Sequence, residues 1–185
     1  MANLENSMAL LKQVEHSNRN DKLLHKNKGE NGLTFFGIYE AAHPNWKGWS
    51  IIKRYLANEP NLEKCSTILA NVSDLIKLVY EFYRREFWNK ADLDSVIEQR
   101  KADEIFIFGT NAGMQVAIKK AQELVGVIVD GDAGPKTLKA INEYDVEKFD
   151  VFYDLEEKEH YDTLIARRDA LRINQKGWYN RADFV

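Results

Sequence analysis

The chain predicts a mainly α-helical fold carrying one small β-hairpin, and three observations carry that expectation. Apolar residues recur at helical spacing over most of its length, as in Leu75, Leu78, Val79, Phe82 and Tyr83. Helix breakers are scarce, with 3 Pro and 10 Gly in 185 residues. Only Gly32–Tyr39 sets β-branched and aromatic residues between glycines, which marks a short hairpin or extended segment. A hydrophobic share of 44% against 30% charged residues gives a packed globule rather than a disordered chain.

Asn3 can cap a first helix running to about Ser17. On a helix of about 100° per residue, Leu4, Met8, Leu11 and Glu15 share one narrow sector, which should face the core. A carboxyl held against apolar neighbours has its charged form disfavoured, and a glutamic acid kept protonated in this way can serve as a general acid. The alternative for Glu15 is a position in the last helical turn, turned to solvent or paired with a base. Asn18–Asn31, rich in Asn, Lys and Gly, reads as a loop, and the hairpin follows it.

Helical patterns then occupy Trp46–Ala57, Leu62–Ala70 and Ser73 to about Lys90, with Pro60 and Ser73 marking two of the starts. Ile105–Val125 is a long apolar stretch broken by Gly109 and Gly113, either one buried helix with close helix contacts or two in sequence, and is expected to be the centre of the core. Asp130-Gly131 sets a turn and Pro135 suits a first helical position. The last helix spans about Val146–Arg172 and is expected to show a solvated charged face at Asp154–Lys158. Trp178 is expected to pin the tail.

Composition narrows the function classes. A net charge of −3 argues against nucleic acid as the main partner. Cys65 is single, so no intramolecular disulfide is available and the thiol reads as a small core residue. The scattered His16, His25, His43 and His160 show no metal-ligand spacing, Asp130–Gly134 lacks the later acids of a calcium loop, and no cofactor is implied. The first residues lack the pattern of a signal peptide and no membrane span is expected. Any extracytoplasmic target would then be reached by lysis, with a holin, or by a route the sequence does not show, and a monomer is expected.

The order of Glu15, a polar loop and Thr34-Phe35-Phe36-Gly37-Ile38 is the one a lysozyme-like site needs: an acid at a helix end, with a hairpin as the opposite wall of a sugar cleft. Glycoside hydrolysis requires proton donation to the glycosidic oxygen and a group on the other face to deliver water or stabilise charge. Thr34, or a second carboxylate from Glu30, Asp21 or Glu40, could do the latter. Carboxylates about 5 Å apart would give retention and roughly 6.5 to 9.5 Å inversion; with no second acid near Glu15, a single acid with a water held by Thr34 is the better account.

Taken in order, the segments resemble glycoside hydrolase family 108, phage and bacterial N-acetylmuramidases joined to a C-terminal peptidoglycan-binding region. Glu15 stands at the family's catalytic Glu, and Thr34–Ile38 resembles its TxxGI hairpin. Tyr83–Trp88 resembles an aromatic helix end and Phe106–Gly113, with Asn111, the FxFxxNxG segment. Asp130–Thr137 resembles the DGxxGPxT turn and Gly177–Arg181 the closing GWxxR. The chain departs from the family at His16 and Ser17, which replace two glycines, and at Gly29, where an Asp is usual; Asn31 also replaces the first hairpin glycine, and the intervening loop is longer.

The resemblance implies a lysozyme-like helical globule with its hairpin near the cleft. Residues 1–95 would form the catalytic region and 96–185 the peptidoglycan-binding region, packed as one unit. It implies cleavage of the β-1,4 bond between N-acetylmuramic acid and N-acetylglucosamine, as in a phage endolysin. Glu15, Thr34 and Glu30 are the catalytic candidates, and Asp21, Tyr39, Asn111, Asp130 and Thr137 the substrate-binding ones. The rival expectation is a non-catalytic wall-binding or secretion-accessory protein of the same fold. An amidase or peptidase would need a metal or a Cys/His pair.

Overall fold

In a computed structural model describing Met1–Val185, helix α1 (Leu4–His16) buries Leu4, Met8 and Leu11 along the stripe its periodicity predicts. The architecture is mainly α and lysozyme-like, with one three-stranded sheet. Residues cluster into two units, Leu11–Tyr83 and Met1–Leu10 with Arg84–Val185.

The Leu11–Tyr83 unit carries the sheet β1 (Leu24–His25), β2 (Thr34–Phe35) and β3 (Ile38–Tyr39), antiparallel in that order. Phe36 and Gly37 form the β2–β3 turn, both with positive φ, +49° and +80°, which suits the right-handed twist of a two-residue hairpin. At Gly37 a Cβ would meet Tyr83 Oη at 2.6 Å, and that hydroxyl donates to the Phe36 carbonyl at 2.8 Å. β1 falls in the segment that reads as loop, because two residues carry too little alternation to register. Helices α2 (Gly48–Leu56), α3 (Leu62–Leu69) and α4 (Ser73–Glu86) follow where the periodicity places them.

The core of this unit collects Leu24, Phe35, Ile38, Trp49, Ile52, Cys65, Leu69 and Val79. Ser66 joins α3 to β1: its Oγ accepts from Leu24 N at 2.9 Å and donates to the Asn20 carbonyl at 2.5 Å. Trp46 and Trp49 pack edge to face, and their indole N–H groups donate to the Leu78 and His43 carbonyls.

The other unit is built on α5 (Gln99–Ala112) and α6 (Met114–Val125), two helices divided at Gly113, whose φ is +96°. Every residue from Glu104 to Gly109 is buried, so α5 is the centre the apolar stretch predicts. A Cβ on Gly109 would lie 2.0 Å from Met114 Sδ, which is why the helices can meet closely there. α7 (Pro135–Glu143) starts with Pro135 in its first turn. The buried Lys101 donates from Nζ to the carbonyls of Ile141 (2.7 Å) and Tyr144 (2.5 Å) and satisfies the end of α7. The N-terminal residues belong here: Ala2 N donates to the Val96 carbonyl, Asn3 N to Gln99 Oε1 and Ser7 Oγ to Asp103 Oδ1.

Helix α8 (Val146–Arg167) ends earlier than its sequence pattern suggests, and the tail returns as α9 (Gln175–Ala182), where Trp178 stacks on Tyr161 at 4.7 Å. The solvated face expected at Asp154–Lys158 is corrected in part. Phe149, Tyr153, Glu157, Tyr161 and Ile165, each four apart, are all buried, and Glu157 is only 2% exposed. The carboxyls of Glu157, Asp154 and Asp150 come close to Glu104. Burial, and then Asp154, push Glu157 up to about 9 against the pull of Arg181 and Lys158; burial carries Asp154 to about 6 against Lys158, and Glu104 is also raised strongly.

Candidate active site

The last turn of α1 delivers Glu15 and His16 to an open cavity of about 480 Å³, whose opposite wall is β1 and the β2–β3 hairpin. The helix is stopped there by Ser17 and Asn18, both left-handed with φ +48° and +58°. Ser17 thus takes a backbone conformation that a glycine adopts without strain. Chain reversal then brings Arg19, Lys22, His25, Thr34 and Gly37 to the same cavity as Glu15.

Glu15 is exposed, so its predicted core-facing position is corrected: the stripe is covered at Leu4, Met8 and Leu11 and the cover ends before the last turn. His16 beside it is half-buried, its ring edge-on to Phe36 at 5.6 Å. Burial lowers the His16 pKa; neighbouring His25 and Lys12 lower it further, against an opposing pull from Glu15.

Thr34 is buried on β2 and stands opposite His25 on β1 and Tyr39 on β3. Cross-strand partners point to one face of a sheet, so His25 and Thr34 present neighbouring side chains to the cavity. His25 Nδ1 lies 3.1 Å from the Lys22 carbonyl. Because a carbonyl only accepts, Nδ1 carries the hydrogen and the neutral ring has its lone pair on Nε2.

Of the other expected residues, Asp21 pairs with Arg19 at 2.5 Å, a hydrogen bond that holds its carboxyl below the ordinary range. Glu30 accepts from Asn27 Nδ2, and Tyr39 Oη donates to the Asn31 carbonyl. Neither these three residues nor Glu40, which pairs with Lys53 and accepts from Leu33 N, lines the cavity. Glu15 is the one carboxylate in its lining. No group of three His, Cys, Asp or Glu side chains is placed to hold a metal ion.

The remaining candidates lie in the other unit. Asn111 Nδ2 donates to Tyr161 Oη at 2.7 Å. Asp130 and Thr137 border a cavity of about 650 Å³ with Val127, Ile128, Asp132 and Pro135. Both side chains engage the buried amide of Gln122, whose Nε2 donates to Asp130 Oδ1, the Asp132 carbonyl and Thr137 Oγ1. Gln122 Oε1 accepts from Asp130 N and Gly131 N, so one side chain organises the whole turn. Sequence reasoning missed His25 and Gln122, since nothing in the spacing of either predicts its partners.

Residues 21–113 match the family described as Glycosyl hydrolase 108, and residues 116–183 the family described as Predicted Peptidoglycan domain. Thr34 and His25 fall within the first match, whereas Glu15 precedes it. No curated protein matches the chain. The structure of Brucella abortus SagA is similar over 96% of this chain and 94% of its own, with a TM-score of 0.56 and 18% identity, a likeness of fold.

Proposed function

We propose that this chain, which belongs to the glycosyl hydrolase 108 family and is a peptidoglycan hydrolase, cleaves the β-1,4 bond between N-acetylmuramic acid and N-acetylglucosamine with Glu15 as general acid. The observation that carries the reading is the meeting of Glu15 and Thr34 in one open cavity, from a helix end and a hairpin far apart in the chain. A glycan strand laid in that cavity would exclude water from the helix end, and removal from water disfavours a charged carboxylate and favours proton donation. The Thr34 hydroxyl can hold a water or line the cleft. Arg19 and Lys22 also line the cavity, ion-paired with Asp21 and Glu63.

The region of the Asp130–Thr137 turn would retain the enzyme on the wall and raise its effective concentration at the substrate. The proposed setting is lysis of a bacterial host by a phage. Expression with a membrane-permeabilising holin would then clear a culture only when Glu15 is intact.

The deciding experiment is digestion of purified peptidoglycan by wild type and Glu15→Gln, with mass and reducing-end analysis of the fragments. The expected result is release of muropeptides ending in reducing N-acetylmuramic acid, lost in a folded Glu15→Gln variant. Binding by wild type without release would overturn the reading in favour of a wall-binding protein.

A further inference from the structure

We infer that His25 is the general base of the reaction, taking a proton from the attacking water on the side of the sugar opposite Glu15. The inference rests on the muramidase reading and supplies what the cavity otherwise lacks, since Glu15 is the one carboxylate in its lining and a second proton-handling group is needed. His25 qualifies by its tautomer and by its place in the sheet. The Lys22 carbonyl fixes hydrogen on Nδ1, so the neutral ring offers Nε2 as an acceptor, the state a base requires. The register sets His25 directly across from Thr34, with Cβ atoms about 5 Å apart for such a pair, so one water can bridge imidazole and hydroxyl.

The His16 ring from α1 lies 6.4 Å from that of His25, and Glu15, Lys22 and Arg19 line the same cavity, with Lys12 also near His16. His16 is the less suited imidazole: it packs edge-on to Phe36 and follows the acid on the same helix. In the step, the Glu15 carboxyl protonates the glycosidic oxygen as the bond from that oxygen to C1 breaks. Water bonded to Thr34 loses a proton to His25 Nε2 while its oxygen bonds to C1 from the opposite face. The product is the inverted α-hemiacetal, the imidazolium then releases its proton to solvent, and Glu15 is reprotonated.

His25→Asn tests this, because the Asn amide can still donate to the Lys22 carbonyl while lacking a basic nitrogen. The expected result is a 10²- to 10³-fold fall in kcat with little change in KM. In His25→Ala, azide should restore turnover and yield α-glycosyl azide, a rescue that a misfolded variant would not show. Wild type should release the α-anomer first. A β-anomer as first product, or a His25→Asn enzyme within a few-fold of wild type, would overturn the assignment. If Glu15→Gln is inactive while His25→Asn is active, the base alone is wrong. If Glu15→Gln stays active, the muramidase reading beneath it fails.

Discussion

Raising the pH should loosen the unit that contains α8 well before ordinary alkaline denaturation, because Glu157 is buried among other acids. Glu157 is 2% exposed, and the Glu104 that neighbours it is 1% exposed. Glu157 titrates near 4.5 when unfolded and at about 9 when folded. The folded state therefore holds a proton that the unfolded chain releases, so stability is fully present below pH 4.5 and drains away as pH climbs towards 9. The slope is about 1.4 kcal/mol per pH unit for one proton, or roughly 4 kcal/mol between pH 5 and 8. At about 2 to 4 °C per kcal/mol for a chain of this size, Tm should fall by roughly 8 to 16 °C over that range. Asp154, raised to about 6, adds a second proton at the acidic end. The assay is a thermal melt at half-unit pH steps on wild type and Glu157→Gln. The variant should show a flatter profile and exceed wild type at pH 8, where the neutral amide replaces a buried charge. A Tm that holds or rises from pH 5 to 8 in wild type, or a Glu157→Gln variant less stable than wild type at pH 8, would refute the reasoning.

Three further substitutions probe the local geometry. Ser17→Gly should stabilise the helix end by about 0.5 to 1 kcal/mol, since a left-handed serine costs more than the chain entropy glycine adds; urea denaturation with unchanged or lower stability would count against strain at Ser17. Gly37→Ala should cost roughly 2 to 3 kcal/mol by combining a left-handed alanine with loss of the Tyr83–Phe36 hydrogen bond, read as a fall in the urea midpoint. Gln122→Leu should cost roughly 2 to 4 kcal/mol and weaken co-sedimentation with cell walls, while hydrolysis of short soluble fragments survives; equal loss of both activities would mark a folding defect.

Periodicity made α2–α4, the division at Gly113 and the start of α7 at Pro135 legible, because each is a local matter of helical spacing and chain-breaking residues. What it could not show is where tertiary cover begins and ends. Glu15 and Glu157 both sit on apolar stripes, but neighbours close over the second and stop short of the first. It is Glu157 that is held protonated on a buried face. At the candidate site, Glu15 and Thr34 were legible from their order in the chain, whereas His25 emerges only through a two-residue strand and its pairing register. Gln122 was hidden for a related reason, since a glutamine on an amphipathic helix looks ordinary until the turn eight residues later folds onto it.

The hydrogen bonds of Ala2, Asn3 and Ser7 to residues 96–103 bear on the order in which the molecule is made. The Leu11–Tyr83 unit is a topological insert, bounded on both sides by chain that belongs to the other unit. On the ribosome, the beginning of α1 has nothing to dock against until residues near Asp103 have been synthesised. Closing so long a loop is slow relative to local helix formation, so the inserted unit has time to fold first. The unit of Met1–Leu10 and Arg84–Val185 is completed later, when Ala2, Asn3 and Ser7 meet residues 96–103.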